Sequence, residues 1–343
     1  MGREETIQYD APGWAAIDNA LAQIYGDAEP HRWRAEVKWR DRGPDPLDGI
    51  SVYARTEPVP HWHFVSYGMS ELYDKRSRNP EWSGWGYEFT FRLARAADET
   101  TPPEWAMTML QDLGWHTCRT GHQFEPGQIM TVNGPHAAED PAVQPIAFTR
   151  DPELGTIATP HGYVRFLQVV GLTTDEHRAA SLWNTERLLE TLAPRIPLYV
   201  SDIERASLLD DPETAAAVAA GSERDGSSTG WVGVSLVEWE LESDSTVLRL
   251  DARRATAIAD VLPGRLPHSE PLVVQSGDHA VLFVAVTQFR RPALMQDTLL
   301  EVGVPGGPAM RELIAALRTQ EGTHAFTEMP GLVLELCPPD PKA

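Results

Sequence analysis

Gly84-Trp-Gly-Tyr-Glu-Phe-Thr-Phe-Arg-Leu93 decides how the chain is to be read. Tyr87, Phe89, Phe91 and Leu93 fall on one side of an extended backbone, and Glu88, Thr90 and Arg92 on the other. This period of two predicts a half-buried strand, with Glu88 turned to a groove or to water. Just upstream, His61-Trp-His-Phe-Val-Ser-Tyr67 is a second extended run, and Gly49-Ile-Ser-Val-Tyr53 a third, set off by the turn-forming Gly43-Pro-Asp-Pro46. Trp33 to Trp39 alternates as well.

Helical spacing frames these strands. Trp14, Ile17, Leu21 and Ile24 recur after Pro12-Gly13 and stop at Gly26, which predicts a helix over 14–25. Thr101-Pro-Pro-Glu104 reads as a capping box opening a helix over 102–113. Residues 145–149 and 161–172 read as buried strands. Thr173-Thr-Asp-Glu176 opens a single helix through Leu192, and 196–201 returns as a strand. The class is α+β, in two domains, each a mixed or mainly antiparallel sheet with packed helices.

Asp211-Pro-Glu213 can start a short Ala-rich helix ending at Gly221. Ser222 to Gly230 then lacks apolar content, so 211–230 is expected to be a linker with hinge motion near Gly221–Gly230. Beyond it, 232–241, 246–250, 272–275, 281–287 and 332–336 read as strands, with helices near 252–259 and 309–317. The expected domains are therefore 10–210 and 231–343.

The 343 residues carry 29 Lys plus Arg against 50 Asp plus Glu, a net charge of −21 spread along the chain. Such a field repels phosphates and acidic membranes and favours a basic protein partner; neither nucleic acid nor membrane is an expected partner. Cys118 and Cys337 have no CxxC spacing, which suits a reducing compartment. Met1 to Asp10 is polar and lacks an apolar h-region, so a cytoplasmic location is expected. The 11 Trp residues are core fillers or interface anchors.

Chemistry-bearing motifs are few. His61 and His63 share a strand face and could chelate zinc or copper with a third ligand, the basis of an alternative reading as a metal-dependent hydrolase; the plainer reading is packing and hydrogen bonding. Asp45 and Asp48 are a carboxylate pair or turn residues. Gly226-Ser-Ser-Thr-Gly230 matches G-x-S-x-G, but the strand-then-helix order of a nucleophile elbow is reversed. Cys118 with His116 and His122 would make a catalytic dyad only in spatial contact. No Walker loop, dinucleotide fingerprint or HExxH occurs. No cofactor and no catalytic residue are expected.

Six blocks in order resemble the Suppressor of fused family: Gly43-Pro-Asp-Pro-Leu-Asp48, Pro60 to Tyr73, Gly84 to Leu93, Pro102-Pro-Glu-Trp105, Thr159 to Gly171 and Trp183-Asn184. A weaker echo of the carboxy-terminal domain follows at Leu262–Leu266 and Gly277–Val284. The resemblance implies a bacterial two-domain relative with a cleft between the domains. In eukaryotes the family restrains zinc-finger transcription factors of Hedgehog signalling by holding a peptide strand between the domains, and bacterial relatives include immunity proteins that neutralise toxins. This chain is accordingly expected to be a non-catalytic module that sequesters a partner, as an immunity protein against a basic toxin domain or as a regulator of an endogenous factor.

The peptide-contacting Tyr and Asp of the eukaryotic branch fall on His116 and Gln128. A contacting Glu falls on Arg150, beside the retained Asp151, so the eukaryotic peptide is not carried over. With Trp82 and Trp85, which flank a polar loop, and Glu88, these make the expected partner-binding set: Trp82, Trp85, Glu88, His116, Gln128, Arg150 and Asp151.

Overall fold

The computed structural model describes residues 10–133 and 143–338. The polar amino-terminal stretch Met1–Tyr9 lies outside them. The fold is α+β, in two compact units: Met1–His177 with Leu189–Asp210, and Arg178–Leu188 with Asp211–Ala343.

The first unit contains α1 (Pro12–Tyr25), β1 (His31–Arg34), β2 (Gly49–Arg55), β3 (His61–Tyr67), β4 (Trp82–Ala94), α2 (Glu104–Thr120), β5 (Ile129–Asn133), β6 (Val143–Arg150), β7 (Thr156–Thr159) and β8 (Gly162–Gly171). One sheet runs β1-β2-β3-β4-β8-β6-β5, with β7 also paired to β8. β4 and β8 are parallel and the other pairs antiparallel.

β4 is not half-buried as its alternation predicts. Tyr87, Phe89, Phe91 and Leu93 join one core with Trp62, Phe64, Leu110, Leu113 and Val169. On the opposite side, α1 brings Ile17 and Leu21 against Tyr53, Val65, Tyr67 and Phe166. Glu88, Thr90 and Arg92 are therefore buried too. Period two reports only that the two sides differ in polarity; it does not report that something covers the polar one.

The remaining elements are α3 (Thr174–Leu182), α4 (Thr185–Leu192), α5 (Pro212–Asp225), β9 (Trp231–Gly233), β10 (Val237–Leu241), β11 (Thr246–Asp251), α6 (Ala252–Arg265), β12 (Leu272–Ser276), β13 (His279–Val286), β14 (Ala293–Gln296), β15 (Leu299–Pro305), α7 (Pro308–Leu317), β16 (Gly322–Ala325) and β17 (Leu332–Cys337). The second unit has two sheets, ordered β10-β11-β17-β16 and β14-β15-β13-β12-β9. Leu250, Ile258, Leu262, Phe283, Val302 and Leu313 anchor its core.

Several elements differ from the sequence reading. The helix predicted over 173–192 breaks at Trp183-Asn184, because the Asn184 side chain accepts the Arg187 amide at 3.0 Å and caps a new helix. The predicted strand 196–201 is a 3₁₀ turn in which Leu198 and Tyr199 both take φ 54°, held by the Gln168 amide donating to their carbonyls at 2.9 and 3.2 Å. α2 starts at Glu104 without a side-chain cap and continues to Thr120. Residues 232–241 divide into β9 and β10. Strands β5, β7, β14 and β16 carry too little apolar alternation to stand out in sequence; β15, whose buried Leu300, Val302 and Val304 do alternate, is absent from the sequence reading all the same.

The segment expected to be a linker is largely α5, opened by the Asp211 carboxylate accepting from the Thr214 amide at 2.9 Å. Its Gly221 lies under the Trp183 ring, where an added Cβ would come within 2.3 Å. The Ser227 and Ser228 amides donate to the Gly264 and Trp183 carbonyls, each at 2.6 Å. A polar segment so anchored is structural, and composition alone does not reveal it. Among the described residues, no helix is long and apolar enough to cross a membrane.

Candidate functional site

The polar side of β4 organises two buried clusters. Glu88, fully buried, accepts from the Ser66 and Ser70 hydroxyls at 2.6 Å each and from the Gly68 and Ser70 amides at 2.9 Å each. Burial raises its carboxyl from the ordinary value against the pull of those donors. Glu88 thus fixes the chain leaving β3. It faces neither a groove nor water, and no surface of it is offered to a partner.

Two and four residues on, Thr90 and Arg92 meet Asp151 just beyond β6. Thr90 donates to Asp151 at 2.8 Å, and Arg92 donates to both Asp151 oxygens, at 2.6 and 3.1 Å. Arg92 also reaches Glu153 at 2.9 Å and bonds to Gln168, while Arg55 pairs with Glu153 at 2.6 Å. The burial of Asp151 opposes its charge, but the His63 hydrogen bond and the Arg92 cation outweigh it and hold the carboxyl well below its ordinary range. Asp151 sits at 2 % exposure, spent on this network and not on a ligand.

His61 and His63 are fully buried on β3. His63 shares a 2.6 Å hydrogen bond between Nδ1 and the Tyr25 hydroxyl, and its Nε2 lies 3.4 Å from Asp151. Its burial, then the Arg92 charge, lowers its pKa to about 4. His61 directs Nδ1 to the Val59 carbonyl at 2.7 Å. Both rings are packing and hydrogen-bonding residues, and among the described residues no group of three His, Cys, Asp or Glu side chains could hold a metal ion. Among the described residues the hydrolase reading finds no third ligand beside His61 and His63.

The other motifs also resolve as structure. Asp48 is buried and Asp45 half-buried in the turn before β2. Ser227 is buried and donates to the Ser181 carbonyl at 2.9 Å. His116 and His122 contact each other and Phe124 through their rings. Burial raises the nearby Cys118 thiol, the reverse of what a nucleophile needs.

The residues that do meet solvent form a small patch where β4 and β8 begin. Trp82 makes an edge contact with Tyr163 at 6.2 Å between centroids, and Arg165 lies over the Trp82 ring at 5.2 Å while pairing with Glu125. Tyr163 is 50 % exposed. Gly84, Trp85 and Gln123 help line a pocket of about 180 Å³ beside them. Gly84 has φ +57°, and a Cβ there would meet the Met69 carbonyl at 2.6 Å, so the bulge carrying both Trp residues requires glycine.

The expected set therefore divides. Trp82 and Trp85 come together. His116 lines a separate pocket with Met109 and Met130; Gln128 is half-buried, accepting from the Glu125 amide at 3.2 Å; Arg150 is exposed at the end of β6. Glu88 and Asp151 are interior. Tyr163 and Arg165 were missed, although their alternation with Val164 and Phe166 is the available signal.

The family model of Suppressor of fused protein matches residues 43–206. The human and mouse Suppressor of fused homologs are each 33% identical over 240 residues, 64% of this chain and 49% of theirs; the chain thus spans about half the length of these curated relatives. The crystal structure of Drosophila Suppressor of Fused matches with a TM-score of 0.79 at 21% identity, covering 96% of this chain and 98% of that one, a likeness of fold. A chain of the Sufu–Fu complex matches with a TM-score of 0.55 at 29% identity, covering 61% and 98%. Over residues 43–206, and at 33% identity to the human and mouse homologs across 64% of its length, the chain resembles the Suppressor of fused family.

Proposed function

We propose that this chain is a non-catalytic protein-binding module that sequesters a partner protein. The observation that carries this reading is its likeness to a chain solved in the Sufu–Fu complex. The Trp82–Tyr163–Arg165 patch supports it, because Trp, Tyr and Arg are the side chains that most often anchor interfaces. The net charge of −21 favours a basic partner, and this supports neutralisation of a basic toxin domain over regulation of an acidic factor.

The test is co-purification with the products of the neighbouring genes, followed by size-exclusion chromatography with light scattering. A stoichiometric complex is expected, weakened at least about tenfold in a Trp82→Ala/Tyr163→Ala double variant. If no neighbouring product forms a complex, the sequestration reading fails. If the double variant binds as tightly as the parent chain, the patch assignment fails.

A further inference from the structure

Residues 31–42, His-Arg-Trp-Arg-Ala-Glu-Val-Lys-Trp-Arg-Asp-Arg, invert the character of the chain. Against a net charge of −21, this stretch holds Arg32, Arg34, Lys38, Arg40 and Arg42 with only Glu36 and Asp41. Its first part is β1, the outermost strand of the eight-stranded sheet, paired to β2 alone among the described residues. Trp33 packs inward on the core, and this fixes the register: Arg32 and Arg34, two apart, share the opposite side and are exposed.

Both arginines line a groove of about 500 Å³ with Trp14, Lys38 and Tyr73. The Arg34 guanidinium lies 5.6 Å from the Trp14 centroid, and the Lys38 ammonium 4.4 Å from that of Tyr73. Two carboxylates share the groove. Asp48 is buried, and Asp18 accepts from the Tyr67 hydroxyl at 2.7 Å and meets Arg32 at 3.5 Å. The Arg32–Asp18 pair is about a third exposed on each side, so it is worth little and exchanges readily for another carboxylate. Beyond the strand, Val37 and Trp39 are 48% and 39% exposed, and Trp39 packs edge-on against Trp115.

We infer that the open edge of β1 and this groove take an extended acidic segment of a protein partner. The edge offers main-chain pairing, Arg32, Arg34 and Lys38 receive carboxylates, and Val37 and Trp39 receive apolar side chains between them. Charge complementarity selects the occupant. A second copy of β1 would set Arg32 and Arg34 against their own equivalents, and a nucleic acid, charged along its whole length, meets the repulsion of the surrounding acidic surface. This site is independent of the Trp82 patch and takes a ligand of the opposite sign.

The probe is a fluorescein-labelled peptide of alternating Glu and Val, seven residues long, followed by anisotropy, with its Lys-for-Glu counterpart and an oligothymidylate as comparators. The acidic peptide binds saturably and slows amide exchange at Arg32–Arg34. An Arg32→Glu/Arg34→Glu variant weakens it at least about tenfold, and Arg32→Gln/Arg34→Gln by less, both with unchanged thermal unfolding. N-methylation of the peptide backbone at alternate residues abolishes binding if pairing to the edge occurs. Trp82→Ala/Tyr163→Ala leaves peptide binding intact, which separates this result from that of the proposed function. Absence of saturable binding, equal binding of the Lys peptide, tighter binding of oligothymidylate, or no effect of the double charge reversal overturns the inference.

Discussion

Arg92 shows what a buried ion costs and what it fixes. Fully buried, it is surrounded by Asp151, Glu153 and Gln168, and removing either Arg92 or Asp151 leaves the other charged in a dry interior. His63 adds a pH dependence whose sign follows from its burial. In the unfolded chain it takes up a proton near its ordinary 6.5, but in the folded chain only near 4. Between these values the unfolded state binds more protons, so stability is full above about pH 6.5 and falls as the pH drops toward 4, by about 3 kcal/mol at ~1.4 kcal/mol per pH unit. Asp151 acts lower on the scale: its depressed carboxyl contributes stability above its unfolded value, lost as the pH falls through the folded one. Urea unfolding of the parent chain and of His63→Gln across pH 7 to 4 checks the His63 assignment; the variant should show a shallower slope, and an unchanged slope would refute it. His63 was legible as a residue sharing a strand side with His61. Its Tyr25 and Asp151 neighbours were not, because residues 38 and 88 positions away are brought to it only by α1 and by the turn after β6.

At the scale of elements, Trp183 is the most informative residue. It ends α3, covers Gly221 of α5, donates from its indole nitrogen to Asp225 at 3.1 Å, and lends its carbonyl to Ser228. The sequence shows the break in retrospect, since Asn184-Thr-Glu186 is a helix start. The Ala-rich, Gly-ended stretch after Asp211 reads as a linker because its apolar residues are small, and small residues are what a helix lying on an indole ring requires. Trp183→Ala should cost about 3–5 kcal/mol, the range for truncating a large buried aromatic. Amide exchange at Ser227 and Ser228 should accelerate with it. Slow exchange in the parent chain and fast exchange in the variant would establish the anchoring, whereas fast exchange in both would restore the hinge reading.

Over the whole molecule, charge is the property that reaches furthest. A net charge of −21 without an acidic tail gives a field felt by any partner before contact. The association rate with a basic partner should fall at least about tenfold between about 50 and 500 mM salt, with dissociation much less affected; stopped-flow mixing measures both, and a salt-independent association rate would remove the field from the account. Composition and motif order by themselves determined the α+β class, the resemblance to the Suppressor of fused family, the acidity, and the strands whose apolar residues alternate, because those follow from side-chain chemistry and local period. Tertiary structure alone decided that Glu88 and Asp151 are interior, that Trp82 meets Tyr163 and Arg165, and that Arg32 and Arg34 lie on a strand paired on one side only among the described residues. Burial and adjacency depend on what covers a side chain, and the groups that cover the polar side of β4 lie far off in sequence: Ser66 is 22 residues from Glu88, and Asp151 is 61 from Thr90 and 59 from Arg92.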